Sequence, residues 1–300
     1  MSETITYTQC PLCRSADISA VLTAKDFTVS NEKFEIWQCK NCTLRFTQNI
    51  PAASAIGKYY QSSEYISHSD SKKGFINWLY HFVRNFTLQS KKKLVEKSIK
   101  KTNGNLLDIG AGTGSFVYVM QKENWNVTGL EPDETARKNA FENYRLQLQT
   151  MESLHQLSYE NFDVITLWHV LEHVHDLHNY LEIFKRILKR DGTLIIAVPN
   201  YTSLDAKIYK EYWAAYDVPR HLYHFSPQSM QTILQQHLFQ IKNYKPMWFD
   251  SFYVSMLSEK YRSGKNNLLK SVWNGLRSNL HAARDIKRCS SVIYIIQKIN

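Results

Sequence analysis

The nine residues from Trp168 to Asp176, WHVLEHVHD, contain several side chains that could bind a metal ion or move a proton. Among them, His169, Glu172 and His173 match the H-x-x-E-H pattern of one class of zinc metalloprotease. That chemistry needs both histidines within one continuous helix, whereas here they directly follow the apolar run FDVITLW. The sequence instead predicts a loop at the carboxyl end of a buried strand, where doubly wound sheets bind their ligands.

A second group of polar side chains lies in the stretch DVPRHLYHFS (217–226), which follows the fifth predicted strand. This stretch either faces a substrate or packs as a loop on the sheet. Histidine has an unperturbed pKa of about 6.5 and can accept a proton at neutral pH. We therefore expect His169 and His221, in that order, to be the leading candidates for a general base, followed by His173. Glu172 and His173 could instead stabilise their own loop through hydrogen bonds.

Four of the five cysteines form two C-x-x-C pairs with 25 residues between them. The four are Cys10, Cys13, Cys39 and Cys42. Each short pair can place two thiolates on one side of an ion, and a β-hairpin in the spacer can return the second pair to the first. The spacing predicts a structural zinc site, because four protein ligands leave no open coordination position. Redox-active or coincidental cysteines are the alternative.

The stretch LLDIGAGTGSF places a glycine-rich turn between a predicted strand and a predicted helix. It carries an acid and three glycines, which are Asp108, Gly110, Gly112 and Gly114. Such a turn aims free N–H groups at a ligand, but Ser115 stands where the dinucleotide fingerprint requires its third glycine. The carboxylate of Asp108 suits an ammonium group and would repel a pyrophosphate, and Glu131 at the end of the next strand could accept both hydroxyls of a ribose. These features favour S-adenosylmethionine over a dinucleotide.

Apolar runs alternate with helical segments from residue 105 onward, which predicts an α/β fold with a doubly wound, Rossmann-like, seven-stranded mixed sheet. The predicted strands are NLLDIG, NVTGLEP, RLQLQ, FDVITLW, TLIIAVP, QIKNYKPM and SSVIYIIQKI. Asp176 and Ser226 are predicted to cap the helices that follow them. This alternation brings the glycine turn and the histidine-rich loop to the same edge of the sheet.

Four segments, LLDIGAGTGSF, GLEPD, FDVITLWHVLEHVHD and GTLIIAVPN, occur in an order that resembles class I S-adenosylmethionine-dependent methyltransferases. Within that class, the chain is most similar to ubiquinone-biosynthesis O-methyltransferases, over residues 102–245. The resemblance implies that the glycine turn holds the methionine part of the cofactor, that Glu131 holds the ribose, and that Trp168 and His169 lie near the transferable methyl group. Met151 or Glu152 would lie beside the adenine. The implied cofactor-binding residues are Asp108, Gly110, Ala111, Gly112, Gly114, Glu131, Pro132, Met151, Glu152 and Trp168.

The resemblance also raises the alternative of a second metal ion, in the loop at 169–173. In the quinone enzymes, the loop that matches residues 169–173 reads E-x-x-E-H and is thought to hold magnesium. His169 replaces the first glutamate here, and imidazole is a softer ligand that suits magnesium poorly. A divalent metal at His169, Glu172 and His173 stays one alternative for this loop, beside structural hydrogen bonds and proton removal by a histidine. The four-cysteine segment departs from the quinone enzymes and is similar to a ribbon that precedes the methyltransferase domain in sugar C-methyltransferases.

The predicted organisation is a zinc ribbon at 1–50, a helical lid or connector at 51–101, and a methyltransferase domain at 102–300 with a helical insertion at about 250–288. The expected reaction is methyl transfer from S-adenosylmethionine to a small-molecule acceptor, at oxygen or activated carbon, in a quinone, phenol, sugar or lipid-like compound. One alternative is an RNA methyltransferase, which Leu-Trp-His-Val in place of N/D-P-P-Y disfavours. The other is a binding module that has lost catalysis.

The net charge of +10 is unevenly distributed, since residues 72–101 hold nine lysines and arginines against Glu96 alone. The nine are Lys72, Lys73, Arg84, Lys91, Lys92, Lys93, Lys97, Lys100 and Lys101. This segment could contact an anionic membrane or, less in keeping with the motifs, a nucleic acid, or it could form a solvated helix face. Its helically spaced apolar stripe, which favours a lid helix, is Phe75, Leu79, Phe82 and Phe86. The sequence predicts no transmembrane segment and no secretory signal, hence a cytoplasmic protein.

Overall fold

A mixed β-sheet forms the centre of the larger part of the molecule. The computed structural model of the chain describes residues 4–61, 75–265 and 267–299, with residues 75–84 described as helical backbone. The strands of the central sheet are β6 (Gly104–Ile109), β7 (Trp125–Leu130), β8 (Phe162–Trp168), β9 (Leu188–Pro199), β11 (Phe239–Pro246) and β12 (Ser291–Lys298). Their order is β11-β12-β9-β8-β6-β7, in which β12 runs antiparallel to both neighbours and the other pairs are parallel.

The predicted α/β class and mixed sheet are confirmed, but the prediction of seven strands is wrong by one within the described residues. The segment RLQLQ forms only an isolated parallel bridge, in which Gln149 pairs with Leu130. Arg145, which begins the segment, has a left-handed φ of 58° at the end of the preceding helix. Only Gln149 reaches the sheet, where it exchanges backbone hydrogen bonds with Gly129 and Glu131, both at 2.9 Å. The extended part of this segment is therefore too short to form a further strand of the sheet.

Within the described residues, eight α-helices surround or adjoin the central sheet. They are α1 (Phe75–Ile99), α2 (Ser115–Lys122), α3 (Glu134–Tyr144), α4 (Leu177–Ile187), α5 (Leu204–Tyr209), α6 (Pro227–Gln236), α7 (Asp250–Ser263) and α8 (Leu268–Ala282). Of these, α5, α7 and α8 pack chiefly on one another. Both predicted caps are confirmed, because Asp176 accepts from the Asn179 N–H at 3.1 Å and Ser226 accepts from the Ser229 N–H at 3.0 Å. The buried stripe of α4 packs on β8 and β9, whose apolar residues are buried on both faces.

The N-terminal four-cysteine ribbon comprises β1 (Thr4–Ile5), β2 (Ile18–Lys25), β3 (Lys33–Cys39), β4 (Arg45–Thr47) and β5 (Ile50–Pro51). A distant strand, β10 (Tyr223–His224), joins its sheet, which has the order β10-β4-β3-β2. Leu44 and Phe46 of the ribbon pack in the same buried cluster as Leu222 and Phe225. The ribbon is thus continuous with the larger part of the molecule through one sheet and one core.

Helices α7 and α8 occupy most of the predicted helical insertion, and α1 occupies the second half of the predicted lid. The structure does not describe the side chains of the predicted stripe residues Phe75, Leu79 and Phe82. Lys72 and Lys73 lie entirely outside the described residues. Phe86 is described and lies edge-on to Phe249, with ring centroids 5.7 Å apart. Among the described residues, no helix combines the length and the apolar character needed to cross a membrane.

Candidate functional site

The glycine turn between β6 and α2 forms the first part of the candidate site. Gly110 has a φ of 68°, and a Cβ there would lie 2.5 Å from Val170 Cγ2, so only glycine fits against the histidine-rich loop. Gly112 has a φ of 54°, and a Cβ there would meet nothing within 4 Å. The backbone at Gly112 therefore faces open space, which allows a ligand to approach it closely.

Asp108, at the carboxyl end of β6, is buried behind this turn. Its carboxylate accepts a hydrogen bond of 2.6 Å from Thr166 Oγ1. Burial raises the pKa of Asp108 to about 7, because the Thr166 hydrogen bond and the charge of Lys91 offset only part of the desolvation. A buried carboxyl of this kind would gain from a cationic partner such as an ammonium group.

Glu131, directly after β7, is the second buried acid of the site. One carboxylate oxygen accepts from the Gly112 N–H at 2.7 Å, and the other accepts from the Asp133 N–H at 2.9 Å. These bonds fix the carboxylate beside the open face of Gly112 and leave each oxygen a further lone pair. Ala111 donates its N–H to Leu130 O at 2.9 Å, which ties the glycine turn to the end of β7. The arrangement can bind a diol.

The remaining predicted cofactor residues surround this turn. Met151 and Glu152 open a 3₁₀ helix (Met151–Gln156), with Met151 packed on the core and Glu152 exposed. Pro132 follows Glu131, and its carbonyl accepts from Arg137 at 2.7 Å. Trp168 ends β8, and the ammonium of Lys91 on α1 lies 4.4 Å from its ring centroid. The Trp168 ring therefore already contacts a cation.

His169 lies between two carboxylates. It has a left-handed φ of 60°, its Nε2 lies 3.0 Å from Asp250 Oδ2, and its Nδ1 lies 3.4 Å from Glu172 Oε1. Burial lowers the pKa of His169, but Asp250 and Glu172 outweigh burial and raise the pKa to about 10. His169 is therefore an imidazolium at neutral pH in this arrangement, which disfavours it as a proton acceptor.

Glu172, His173 and His221 form a second cluster in which each residue offers one ligand atom within 4.8 Å of the others. This cluster joins the two histidine-containing stretches, because the Leu222 N–H donates to Glu172 O at 2.8 Å. His173 Nδ1 donates to Arg220 O at 3.0 Å, and His221 Nδ1 donates to Ala215 O at 2.9 Å. A neutral imidazole that donates from Nδ1 keeps its lone pair on Nε2, where it can bind an ion or accept a proton. The Tyr60 hydroxyl also lies 3.0 Å from His173 Nδ1.

Glu172 is the least satisfied group of this cluster. Its side chain is 1% exposed, and both carboxylate oxygens lack a hydrogen-bond partner of good geometry among the described residues. The 3.4 Å approach of His169 Nδ1 gives an ion pair but is too long for a strong hydrogen bond. Burial and the neighbouring His221 lower the pKa of His173 to about 4, so the His173 ring is neutral. A buried carboxylate beside two imidazole nitrogens is a chemically suitable ligand set for a divalent cation.

The four ribbon cysteines converge at the end of β3. Sγ of Cys10 lies 3.5 Å from Sγ of Cys42, and Sγ of Cys13 lies 3.5 Å from Sγ of Cys39. A disulfide requires about 2.05 Å, so these are free thiols. All four sulfurs lie within 4.8 Å of one another, as tetrahedral ligands about 2.3 Å from a zinc ion would. The cluster can therefore hold zinc.

The ribbon also holds the loop that carries His221. Thr47 Oγ1 donates to His221 O at 2.7 Å and lies 3.1 Å from His224 Nε2. Arg220, which is buried, binds Asp26 of the ribbon at 3.0 Å and Asp217 at 2.6 Å. These contacts fix the position of His221 from the ribbon side.

Sequence reasoning missed two residues of the site, Lys91 and Asp250. In the sequence, Lys91 is one of nine charges in a basic segment, and Asp250 lies at the start of α7 with no motif around it. Each reaches the site from an element that is distant in the sequence, so no local spacing could indicate either residue.

Residues 79–242 match the family model described as a methyltransferase domain, which covers more than half of the chain. Among curated proteins, the chain is 36% identical over 121 residues to the ubiquinone biosynthesis O-methyltransferase of Actinobacillus pleuropneumoniae serotype 7, covering 34% of this chain and 50% of that protein. It is 24% identical over 192 residues to the mitochondrial ubiquinone biosynthesis O-methyltransferase of Bos taurus, covering 58% of this chain and 50% of that protein. The chain spans about half the length of these relatives.

Among solved structures, the chain is similar to magnesium protoporphyrin IX methyltransferase from Synechocystis PCC 6803, which was solved with bound SAH. The superposition has a TM-score of 0.54 at 14% identity and covers 82% of this chain and 100% of that chain. At this identity, the similarity concerns the fold.

Proposed function

The chain belongs to the methyltransferase-domain family, and from this membership we propose that it transfers a methyl group from S-adenosylmethionine to a small-molecule acceptor. The observation that carries the proposal is the open backbone at Gly112 with the carboxylate of Glu131 fixed beside it at 2.7 Å. The buried Asp108 adds a site for a cation. An intact site of this kind argues against a binding module that has lost catalysis.

The residues around the glycine turn have separate roles in this proposal. Glu131 accepts the two ribose hydroxyls, and Asp108 accepts the ammonium of the methionine part. The ring of Trp168 lies at the end of β8. Its π face would attract the positively charged sulfonium of the cofactor, in the same way that it attracts the ammonium of Lys91. Because methyl transfer is an in-line displacement, these contacts act chiefly by aligning the methyl group with the acceptor.

We propose that the group that accepts the methyl is a hydroxyl. The similarity to ubiquinone biosynthesis O-methyltransferases supports this proposal. Glu172, His173 and His221 would hold a divalent ion there, in place of the predicted set with His169, which faces Asp250. A bound ion would lower the pKa of the acceptor hydroxyl. Two imidazoles and one carboxylate suit manganese, iron or zinc better than magnesium.

A test of the cofactor site is the affinity for S-adenosylmethionine by titration calorimetry. Glu131→Ala should weaken binding at least tenfold, because each charged hydroxyl–carboxylate hydrogen bond contributes roughly 1.5–3 kcal/mol. Glu134→Ala removes an exposed acid three residues away and serves as the matched control, with unchanged affinity expected. Equal affinity in wild type and Glu131→Ala would contradict the proposed ribose site.

The four ribbon cysteines are proposed to bind one structural zinc ion. Cys39→Ser should lower the zinc content by about one equivalent per chain, measured by mass spectrometry of the metal. It should also lower the melting temperature and the turnover, because the ribbon holds the His221 loop through Thr47. Cys289→Ser changes a buried cysteine outside the cluster and should keep the zinc. Unchanged zinc content in Cys39→Ser would rule out the site.

A further inference from the structure

Helix α8 has its apolar side chains on the outside. Its outward stripe recurs at helical spacing and consists of Leu269, Val272, Trp273, Leu276 and Leu280. Leu269 is 87% exposed, Trp273 is 60% exposed and Leu280 is 61% exposed. The opposite face, which is buried, consists of the small or polar residues Ser271, Asn274, Gly275 and Ser278. An ordinary surface helix buries its apolar face and exposes its polar face, so the orientation of α8 is the opposite of the usual one.

Specific contacts fix this orientation. Asn274 donates to the Tyr209 hydroxyl at 3.0 Å, and Ser278 donates to Asp205 at 2.6 Å. At Gly275 a Cβ would lie 3.0 Å from the backbone of Phe252, so α8 packs on α7 at a point where only glycine fits. Turning the helix to bury its leucines would leave buried polar groups without partners, which costs free energy. The apolar stripe is therefore held outward by the fold.

Positive charge predominates in the sequence of and around α8. Residues 265–288 hold six lysines and arginines against Asp285 alone. Lys270 and Arg277 lie seven residues apart, so both follow the same flank of the stripe. Lys270 is half-exposed and also pairs with the buried Glu259 at 3.2 Å. Two copies of α8 placed face to face would bring like charges together, which disfavours a second copy of the chain as the partner. Apolar residues with a tryptophan, flanked by cations, fit the interface of an anionic lipid bilayer.

We propose that the outward face of α8 is a docking surface for an anionic lipid membrane, with Leu269, Trp273 and Leu280 inserted at the headgroup level. The surface adjoins the candidate site, because Asn279 of α8 donates to Trp248 O at 2.8 Å and Trp248 lies two residues before Asp250. Trp248 and Phe249 are themselves exposed. The docking depends on α8 alone and stands whether or not the chain transfers methyl groups.

The test is sedimentation of the full chain with vesicles of phosphatidylcholine, with and without phosphatidylglycerol. The wild type should bind the anionic vesicles, and Leu269→Ser with Trp273→Ser should weaken binding at least tenfold. Arg277→Gln should weaken it about fivefold, as expected for one cation near an anionic surface. Tyr159→Ser removes another exposed aromatic side chain, outside α8, and should bind as the wild type does.

The double variant must keep its circular dichroism spectrum and melting temperature for the comparison to hold; if it does not, Arg277→Gln alone decides. Wild-type binding that is absent, or equal on neutral and anionic vesicles, would overturn the proposal. Light scattering of the chain without lipid gives a further outcome. A wild-type dimer that the double variant converts to a monomer would assign the face to self-association instead.

Discussion

Replacing Glu172 by glutamine should reduce turnover by about 10²–10⁴ while leaving the affinity for S-adenosylmethionine nearly unchanged. The substitution keeps the shape of the side chain but removes the only carboxylate of the Glu172–His173–His221 cluster. The divalent ion proposed for this cluster would then be lost, while the zinc proposed for the four cysteines would remain. The measurements are metal content per chain, turnover with the true acceptor, and cofactor affinity by calorimetry.

The control is Glu134→Gln, which changes an exposed acid and should keep both metal content and turnover. Chelation of the wild type should abolish turnover. The melting temperature is followed in the same samples, because a chelator would also remove the zinc proposed for the ribbon. If chelation leaves turnover intact and His221→Ala abolishes it, the metal proposal is wrong. Proton removal would then belong to Nε2 of His221, whose Nδ1 is already committed to Ala215 O.

The affinity for S-adenosylmethionine should fall tenfold for each pH unit below about 7 and level off above it. Burial raises the pKa of Asp108 to about 7, so below that pH the free protein holds a proton on this carboxyl. An ammonium ligand prefers the carboxylate, and binding must therefore release the proton. The measurement is the dissociation constant between about pH 5.5 and pH 8.5, which spans the pKa on both sides.

Asp108→Asn should remove this slope and weaken binding at pH 8 by about 10- to 150-fold, the loss of one charged hydrogen bond. Glu131→Gln is the matched control, since it should weaken binding but keep the slope. A slope that persists in Asp108→Asn would assign the titration to another group and contradict the proposed ammonium site.

The spacing of residues within short segments is sufficient to predict several parts of the molecule. The glycine turn follows β6, Glu131 follows β7, and Asp176 and Ser226 cap their helices, as the sequence predicts. The four ribbon cysteines converge because the two cysteines of each pair are only three positions apart and the strands between the pairs form a hairpin. In each case the signal lies within a few residues or within one supersecondary unit.

Features that depend on packing between distant elements could not be predicted in this way. His169 was the leading base candidate because free histidine titrates near neutral pH, but Asp250, 81 residues later, holds its proton. The stripe of α8 has the spacing of a buried helix face, and spacing alone cannot distinguish inside from outside. The polar contacts of Asn274 and Ser278 decide that orientation.

The position of β10 in the sequence affects how the ribbon can fold while the chain is being synthesised. Strand β4 pairs with β10 through Phe46–Tyr223 and Arg45–His224, so one edge of β4 stays open until about 180 further residues have left the ribosome. At the usual rate of about 5–20 residues per second, this delay is roughly 9–36 s. During that time the nascent ribbon exposes an unpaired strand edge, which is prone to wrong pairing. Synthesis must therefore pass His224 before β4 can complete its pairing in the ribbon sheet.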